Sequence, residues 1–240
     1  MIHLVRETLD ISGGFIVPEE EDLHYLVKVR RIRDKEKVTF AASGTVFETE
    51  TELSGKSAAF RIINKYEDLQ STPKLFAALA SADIQAIEES LRNGVEAGAD
   101  AFFIFRSDYS NTEIKMLEKK LPRLKSIVAS AASQSRRTRL PEINFSTKEK
   151  LTGTDCEHIA LHPYSSMNLD SYGCKNKKDK MVWIGAEGGF SEQEIHFFEE
   201  KNFEMFSVKT PILRMENAVT FALAYVKNRI NCNFAGEKND

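Results

Sequence analysis

Three stretches of the chain hold residue types and spacings that do chemistry. The first is Ile184-Gly185-Ala186-Glu187-Gly188-Gly189-Phe190, followed by Ser191-x-x-Glu194. The apolar run Met181 to Ile184 has the composition of a buried strand, and the Ser191/Glu194 spacing is a capping box that opens a helix. A strand, a glycine loop and a helix start gather backbone amides at the end of a sheet, where they can face a ligand. The same residues also make an ordinary strand-to-helix turn, because glycine supplies positive φ as readily as it admits a close neighbour. The second stretch is Val208 to Ala218, in which Arg214 and Glu216 sit where coil becomes helix. Either they point into a site, or Glu216 complements the helix dipole while Arg214 pairs with a surface carboxylate. The third is Gln134-Ser135-Arg136-Arg137, just before Leu140-Pro141, which offers amide and guanidinium groups to a base or a phosphate.

Basic residues also cluster at Lys28 to Arg33, which includes Arg30, Arg31 and Arg33, and in a loop carrying Lys175, Lys177, Lys178 and Lys180. Each cluster reads as a solvated face or as a set of phosphate contacts. The net charge is −3, so no global field attracts nucleic acid and any such surface is local. Other chemistries are excluded more firmly. His158 and His162 are four apart, but Ile159-Ala160-Leu161 reads as a strand ending before Pro163, which argues against a metal pair. His24 falls in a short basic helix and reads as structural. Cys156, Cys174 and Cys232 have no CxxC spacing, which speaks against a zinc site or a disulfide framework and for a reducing cytoplasm. The hydrolase, P-loop, zincin and dinucleotide fingerprints are absent. No apolar run approaches the roughly 20 residues that cross a bilayer, and the N-terminal stretch has no signal-peptide core, so a cytoplasmic protein is expected.

The elements that position these residues fall into two groups. Residues 1–70 are expected to form a small β-barrel. Leu4-Val5 and Phe15-Ile16-Val17 flank Gly13-Gly14, and Pro18 fits the first position of a short helix with Leu23, Leu26 and Val27 on one stripe. Val38 to Ala41, a turn at Ser43-Gly44, the alternating run Thr45 to Leu53, a break at Gly55 and the run Ala58 to Ile63 continue the strand pattern. The polar stretch Asn64 to Pro73 is read as the boundary. From residue 71 to 240 strands and helices alternate, which predicts an α/β unit with a parallel sheet. Strands are expected at Leu75–Leu79, Ala101–Phe105, Ile143–Phe145, Ile159–Leu161, Met181–Ile184 and Phe203–Val208. Helices are expected from Ile84 to Gly94, from a Ser110-x-x-Glu113 cap onward with a break at Pro122, and through Val219, Leu223, Val226 and Ile230 before a frayed tail from Gly236. Ligands of such sheets bind at the carboxyl ends of strands, which places the loops after Leu161, Ile184 and Val208 at one site.

These motifs together resemble the RsmE family of SPOUT-class methyltransferases, which modify N3 of a uridine in bacterial small-subunit (16S) rRNA. Ile184 to Glu194 is similar to the family's I-G-P-E-G-G-[FL]-[ST]-x-x-E, and Ile212-Leu213-Arg214-Met215-Glu216-Asn217-Ala218 to its I-L-R-x-E-T-A. Gln134-Ser135-x-Arg137 with Pro141 resembles Q-S-x-R-x-x-x-P, Arg106 to Ser110 resembles R-S-x-R-S, and His24 to Arg33 resembles H-x-x-x-V-L-R. The resemblance implies a PUA-like N-terminal β-barrel, a SPOUT domain with a deep trefoil knot over about residues 155–230, and a homodimer built through the helix Asn217 to Ile230. It implies S-adenosylmethionine held by Leu161, Gly185, Glu187, Gly188, Gly189 and Leu213, and no metal. It also implies rRNA, or an assembled 30S particle, held by Arg30, Arg31, Arg33, Arg106, Gln134, Arg136 and Arg137.

In the implied reaction Arg214 stabilises the imide charge that develops when N3 loses its proton, and Glu216 orients Arg214 and closes the loop. The chain departs from the family pattern at Ala186, Asn217 and Val208-Lys209-Thr210-Pro211, where a lysine stands in place of a glycine near the expected sulfonium. Two alternatives follow: a SPOUT methyltransferase with another RNA target, and a non-catalytic RNA-binding assembly factor whose cofactor loop Lys209 has closed.

Overall fold

The structure is a computed structural model that describes residues 2–54, 57–69 and 73–234. Its packing divides the chain into two units, one of residues 1–70 with 132–140 and one of residues 71–131 with 141–240. The expected break at Gly55 and the tail from Gly236 lie outside the described residues.

The first unit is a six-stranded mixed sheet of β1 (Ile2–Arg6), β2 (Asp10–Ser12), β3 (Phe15–Val17), β4 (Lys37–Ala42), β5 (Thr45–Ser54) and β6 (Ser57–Glu67), in the order β1-β4-β5-β6-β3-β2. β1 and β4 run parallel and the remaining pairs antiparallel. Ile16, Leu26, Val38, Phe40 and Phe60 form its core, with the Phe40 and Phe60 rings edge to face at 5.2 Å. The alternation read along β5 holds: Phe47, Thr49 and Thr51 are buried, and the Thr49 hydroxyl donates to the Val38 carbonyl. Three expectations are corrected. Pro18 precedes the N-cap Glu19 of α1 (Glu20–His24), and that helix widens into a π-turn over Tyr25–Val29. Strand β6 runs on to Glu67, with a bulge at Ile63, so the polar residues from Asn64 are strand before they are linker. Residues 132–140 belong to this unit because their groups meet its strands. Ser133 Oγ accepts from the Val5 amide, Arg137 O from His3 and Thr138 O from the Gly44 amide. Gly44 has φ +90°, and a Cβ there would overlap the Arg139 guanidinium.

The second unit is a six-stranded parallel sheet in the order β12-β10-β11-β7-β8-β9. The strands are β7 (Leu75–Ala80), β8 (Ala101–Phe105), β9 (Glu142–Ser146), β10 (Cys156–Leu161), β11 (Asp179–Ile184) and β12 (Glu204–Phe206). Their helices are α2 (Ile84–Glu96), α3 (Ile114–Glu118), α4 (Leu121–Gln134), α5 (Lys148–Thr152), α6 (Glu192–Glu200) and α7 (Met215–Phe234). The chain builds outward from β7 through β8 to β9, then crosses to the other side of β7, where β11 lies between β7 and β10. Trp183 on β11 is fully buried, 5.0 Å from the Phe105 ring and 5.4 Å from that of Phe198. Helix α2 does not stop at Gly94. Gly94 is interior and buried because a Cβ would press on Phe102 and Leu223, and the left-handed residue past the helix end is Gly98 at φ +98°. Nor does Ser110 cap a helix: Glu113 is the N-cap of α3, and Ser110 closes a turn instead. Among the described residues, no helix is long and apolar enough to cross a membrane.

Candidate active site

Three loops meet at the carboxyl ends of the adjacent strands β12, β10 and β11: residues 161–164, 184–190 and 208–218. Between them lies a cleft of about 310 Å³, within the size range of small-ligand sites. The structure brings Leu161, Gly185, Glu187, Gly188, Gly189 and Leu213 together on its wall, with Ile184, Phe206, Val208, Ile212 and Met215 supplying apolar surface. The glycine loop closes on itself, the Gly189 amide donating to Ala186 O at 2.8 Å. Gly185 is required by this closure, since a Cβ would lie 2.7 Å from the Gly189 backbone. Gly189 adopts φ +75° beside open space. Close approach at Gly185 is therefore to the chain's own backbone, whereas the sequence alone suggests approach by a ligand.

Among the described residues, no lysine or arginine lines the cleft. Lys209 turns to Asp170, 3.3 Å away, and its side chain is outside the wall. His162 lines the cleft with its ring edge-on to Tyr164, and burial pushes its pKa below the ordinary histidine value, which keeps it neutral. Its buried Nδ1 has no partner among the described residues. Arg214 and Glu216 flank the buried Met215 and are not part of the wall. Arg214 is exposed, and its carbonyl caps α7 by accepting from the Asn217 and Ala218 amides. Among the described residues, no hydrogen bond or ion pair joins the Arg214 and Glu216 side chains. The Glu216 carbonyl accepts from the Asn93 amide group at 3.3 Å.

Behind the glycine loop stands an arrangement with only one half readable in the sequence. The capping box at Ser191 and Glu194 is present, but the Glu194 carboxylate is fully buried and does more than cap. It accepts from Ser107 Oγ at 3.0 Å, the Asp108 amide at 3.2 Å, the Ser191 amide at 3.1 Å and Lys148 Nζ at 2.9 Å. Lys148 also reaches Asp108, which accepts from the Ser191 hydroxyl. That hydroxyl holds the Asp108 carboxyl below its ordinary pKa. Burial works against the Lys148 charge, yet its bonds to Glu194 and Asp108 outweigh it and raise its pKa.

The expected RNA contacts divide between the units. Arg30, Arg31, Arg33, Gln134, Arg136 and Arg137 all fall in the first unit, where Arg31 and Arg136 carry positive φ. Arg106 lies in the second and is ion-paired with Glu113 at 2.5 Å. Of the loop lysines, Lys180 is fully buried, bonded to Glu157 and Asn176, and Lys178 pairs with Asp155. Lys180 therefore belongs to the core and is no part of a basic surface.

Comparison with known proteins now gives this geometry a context. The RNA methyltransferase domain family matches residues 70–227. Ribosomal RNA small subunit methyltransferase E 2 of Borreliella burgdorferi is 28% identical over 235 residues, covering 95% of this chain and 97% of that protein. Ribosomal RNA small subunit methyltransferase E of Aquifex aeolicus is 28% identical over 90% of this chain and 95% of its own. A crystal structure of a ribosomal RNA small subunit methyltransferase E from Neisseria gonorrhoeae, bound to S-adenosyl methionine, shares the fold. Its TM-score is 0.81 at 22% identity, over 95% of this chain and 97% of that one. The parallel sheet, the three-loop cleft at its strand ends and the matched domain agree, and this chain belongs to the RNA methyltransferase domain family.

Proposed function

We propose that the chain uses S-adenosylmethionine to methylate N3 of a uridine in small-subunit (16S) rRNA. The observation that carries the reading is the cleft's character among the described residues: apolar walls, backbone groups, one carboxylate in Glu187, a neutral His162 and no cationic side chain. A sulfonium cofactor suits that wall, since no cation opposes its charge and backbone groups can meet its adenine, ribose and amino-acid parts, and the six residues Leu161, Gly185, Glu187, Gly188, Gly189 and Leu213 would hold it. When bound, the cofactor supplies an activated methyl group, so the protein's share is to position the base and stabilise the charge on it. N3 must lose its proton before it attacks, and the imide charge spreads over the flanking carbonyl oxygens. We assign Arg214, exposed at the start of α7 between two wall residues, to that charge, and Glu216, whose side chain is not bonded to it in this structure, to meeting it when the loop closes on substrate.

The same reading takes the first unit as a PUA-like barrel that delivers RNA through its arginines, the second as a SPOUT domain knotted over about residues 155–230, and α7 as the homodimer contact. The relatives' names support the rRNA target, and the cytoplasm is proposed along with it. The non-catalytic alternative rests on Lys209 closing the cofactor loop, and the Lys209–Asp170 pair outside the cleft speaks against it. Calorimetric titration of the purified protein with S-adenosylmethionine is expected to give micromolar binding at one site per subunit. Mass mapping of 16S rRNA from a deletion strain is expected to show one uridine without its N3 methyl group. Absence of binding sinks the enzyme reading, and binding with an unchanged rRNA map moves the target to another RNA.

A further inference from the structure

Methyl transfer to N3 acts on the pairing edge of uridine, so the target base must leave its stack and lie unpaired beside the cleft. An extruded base is held by stacking on a flat side chain. Two tyrosines offer such a surface: Tyr164, an exposed residue of the wall itself, and Tyr109 beside that wall, which is the one mounted on a bonded network. Tyr109 lies in the turn Ser107–Ser110 after β8, and its side chain packs on Gly188 so closely that a Cβ there would sit 3.2 Å from it. Gly188 is part of the cleft wall, and Tyr109 packs against that residue without itself being one of the wall. The residue is 53% exposed, and its hydroxyl has no hydrogen-bond partner among the described residues. The residue is thus neither buried nor held by its hydroxyl, which leaves it accessible to a base.

Its mounting is rigid. Ser107 and Asp108, the two residues before it, are tied to the buried Glu194 through a hydroxyl and an amide. The Asp108 side chain is tied to Ser191 and Lys148, and the Ser107 amide to Ser110 Oγ. An aromatic ring held at a fixed place loses little conformational entropy when it binds.

We propose that Tyr109 is the stacking platform for the extruded pyrimidine of the RNA substrate, a substrate-positioning residue of the methyl transfer. The inference rests on the methyltransferase reading above and names a residue on the RNA side of the same site. Base–aromatic stacking of this kind is worth about tenfold to a hundredfold in binding. In the full chain, Tyr109→Ala is expected to lower kcat/KM for small-subunit rRNA by that factor and to leave the S-adenosylmethionine Kd unchanged. Tyr109→Phe keeps kcat/KM within about twofold, because stacking needs the ring and not the hydroxyl.

The Tyr109→Trp protein reports stacking directly, since the native Trp183 is fully buried. The fluorescence that this substitution adds is quenched by a short uridine-containing RNA. Absence of that quenching, or a Tyr109→Ala protein whose cofactor Kd weakens as much as its kcat/KM, overturns the proposal and makes the ring a cover for Gly188. If the wild-type protein neither binds S-adenosylmethionine nor methylates rRNA, the functional reading fails, while the quenching arm still decides whether the ring meets a base.

Discussion

His162 is the side chain that can bring a positive charge to the cleft, because it is the histidine on a wall where the described residues include no lysine or arginine. Burial lowers its pKa, so the neutral form prevails at and above the ordinary histidine value, and the charge comes on only as pH falls below it. A cationic ligand then meets a cation. The S-adenosylmethionine Kd is expected to be flat near neutrality and to rise only on acidification below the ordinary histidine value, and His162→Gln should remove the rise. Calorimetry in that window checks it; an acid limb that survives in the variant assigns the effect elsewhere. Arg214 is tested by a different separation. Its side chain is outside the cofactor wall, so Arg214→Ala should leave cofactor binding nearly intact while cutting single-turnover methylation by about a hundredfold or more. Equal losses of binding and turnover would end its catalytic assignment.

At the scale of elements, the decisive feature is a carboxylate with four donors. Glu194 ties the start of α6 to the turn after β8 and to the first residue of α5. The Ser191-x-x-Glu194 spacing makes the cap legible, because a capping box is local. Lys148 is not legible, because it comes from a helix of five residues 46 positions away, with no periodicity to mark it. The same contrast runs through the unit. Apolar runs locate its central strands, since each is buried on both faces. The end of α2 escapes such reading because Gly94 looks like a terminator, whereas its real reason is contact with Phe102.

Glu194→Ala is expected to destabilise the protein by about 2–4 kcal/mol in thermal unfolding, because it strands buried donors around it. Glu194→Gln should fall between, since its amide nitrogen would face donors. A loss under about 1 kcal/mol for Glu194→Ala would show that the network holds nothing in place. Two groups fix the pH window. The contribution from Asp108 is present above the ordinary carboxylate range and lost as pH falls through its lowered value. That from Lys148 is present below the ordinary lysine range and lost as pH rises through its raised one. The mounting of Tyr109 is therefore intact across neutral pH.

For the molecule as a whole, the informative feature is that the first unit is discontinuous. Composition marks a change near residue 70 but cannot mark residues 132–140, because what joins them to the strands is a set of single long-range bonds, one between main chains at Gly44 and Thr138 and others through the side chains of His3, Ser133 and Thr138. Partners so far apart in sequence leave no periodicity to announce them. The basic stretch Gln134 to Arg137 is consequently shaped by the first unit, including the left-handed Arg136 at φ 54°. A fragment of residues 71–240 contains every strand of the parallel sheet and every residue of the cleft wall but lacks His3, Val5, Gly44 and Asp68, the partners of this stretch. Hydrogen exchange in that fragment is expected to speed up at residues 132–140 by about tenfold or more, while β7, β10 and β11 keep their protection. Equal protection in fragment and full chain would mean that α4 orders the stretch unaided. Faster exchange, together with intact cofactor binding by the fragment, would place cofactor capture in the second unit and the shaping of Gln134 to Arg137 in the first.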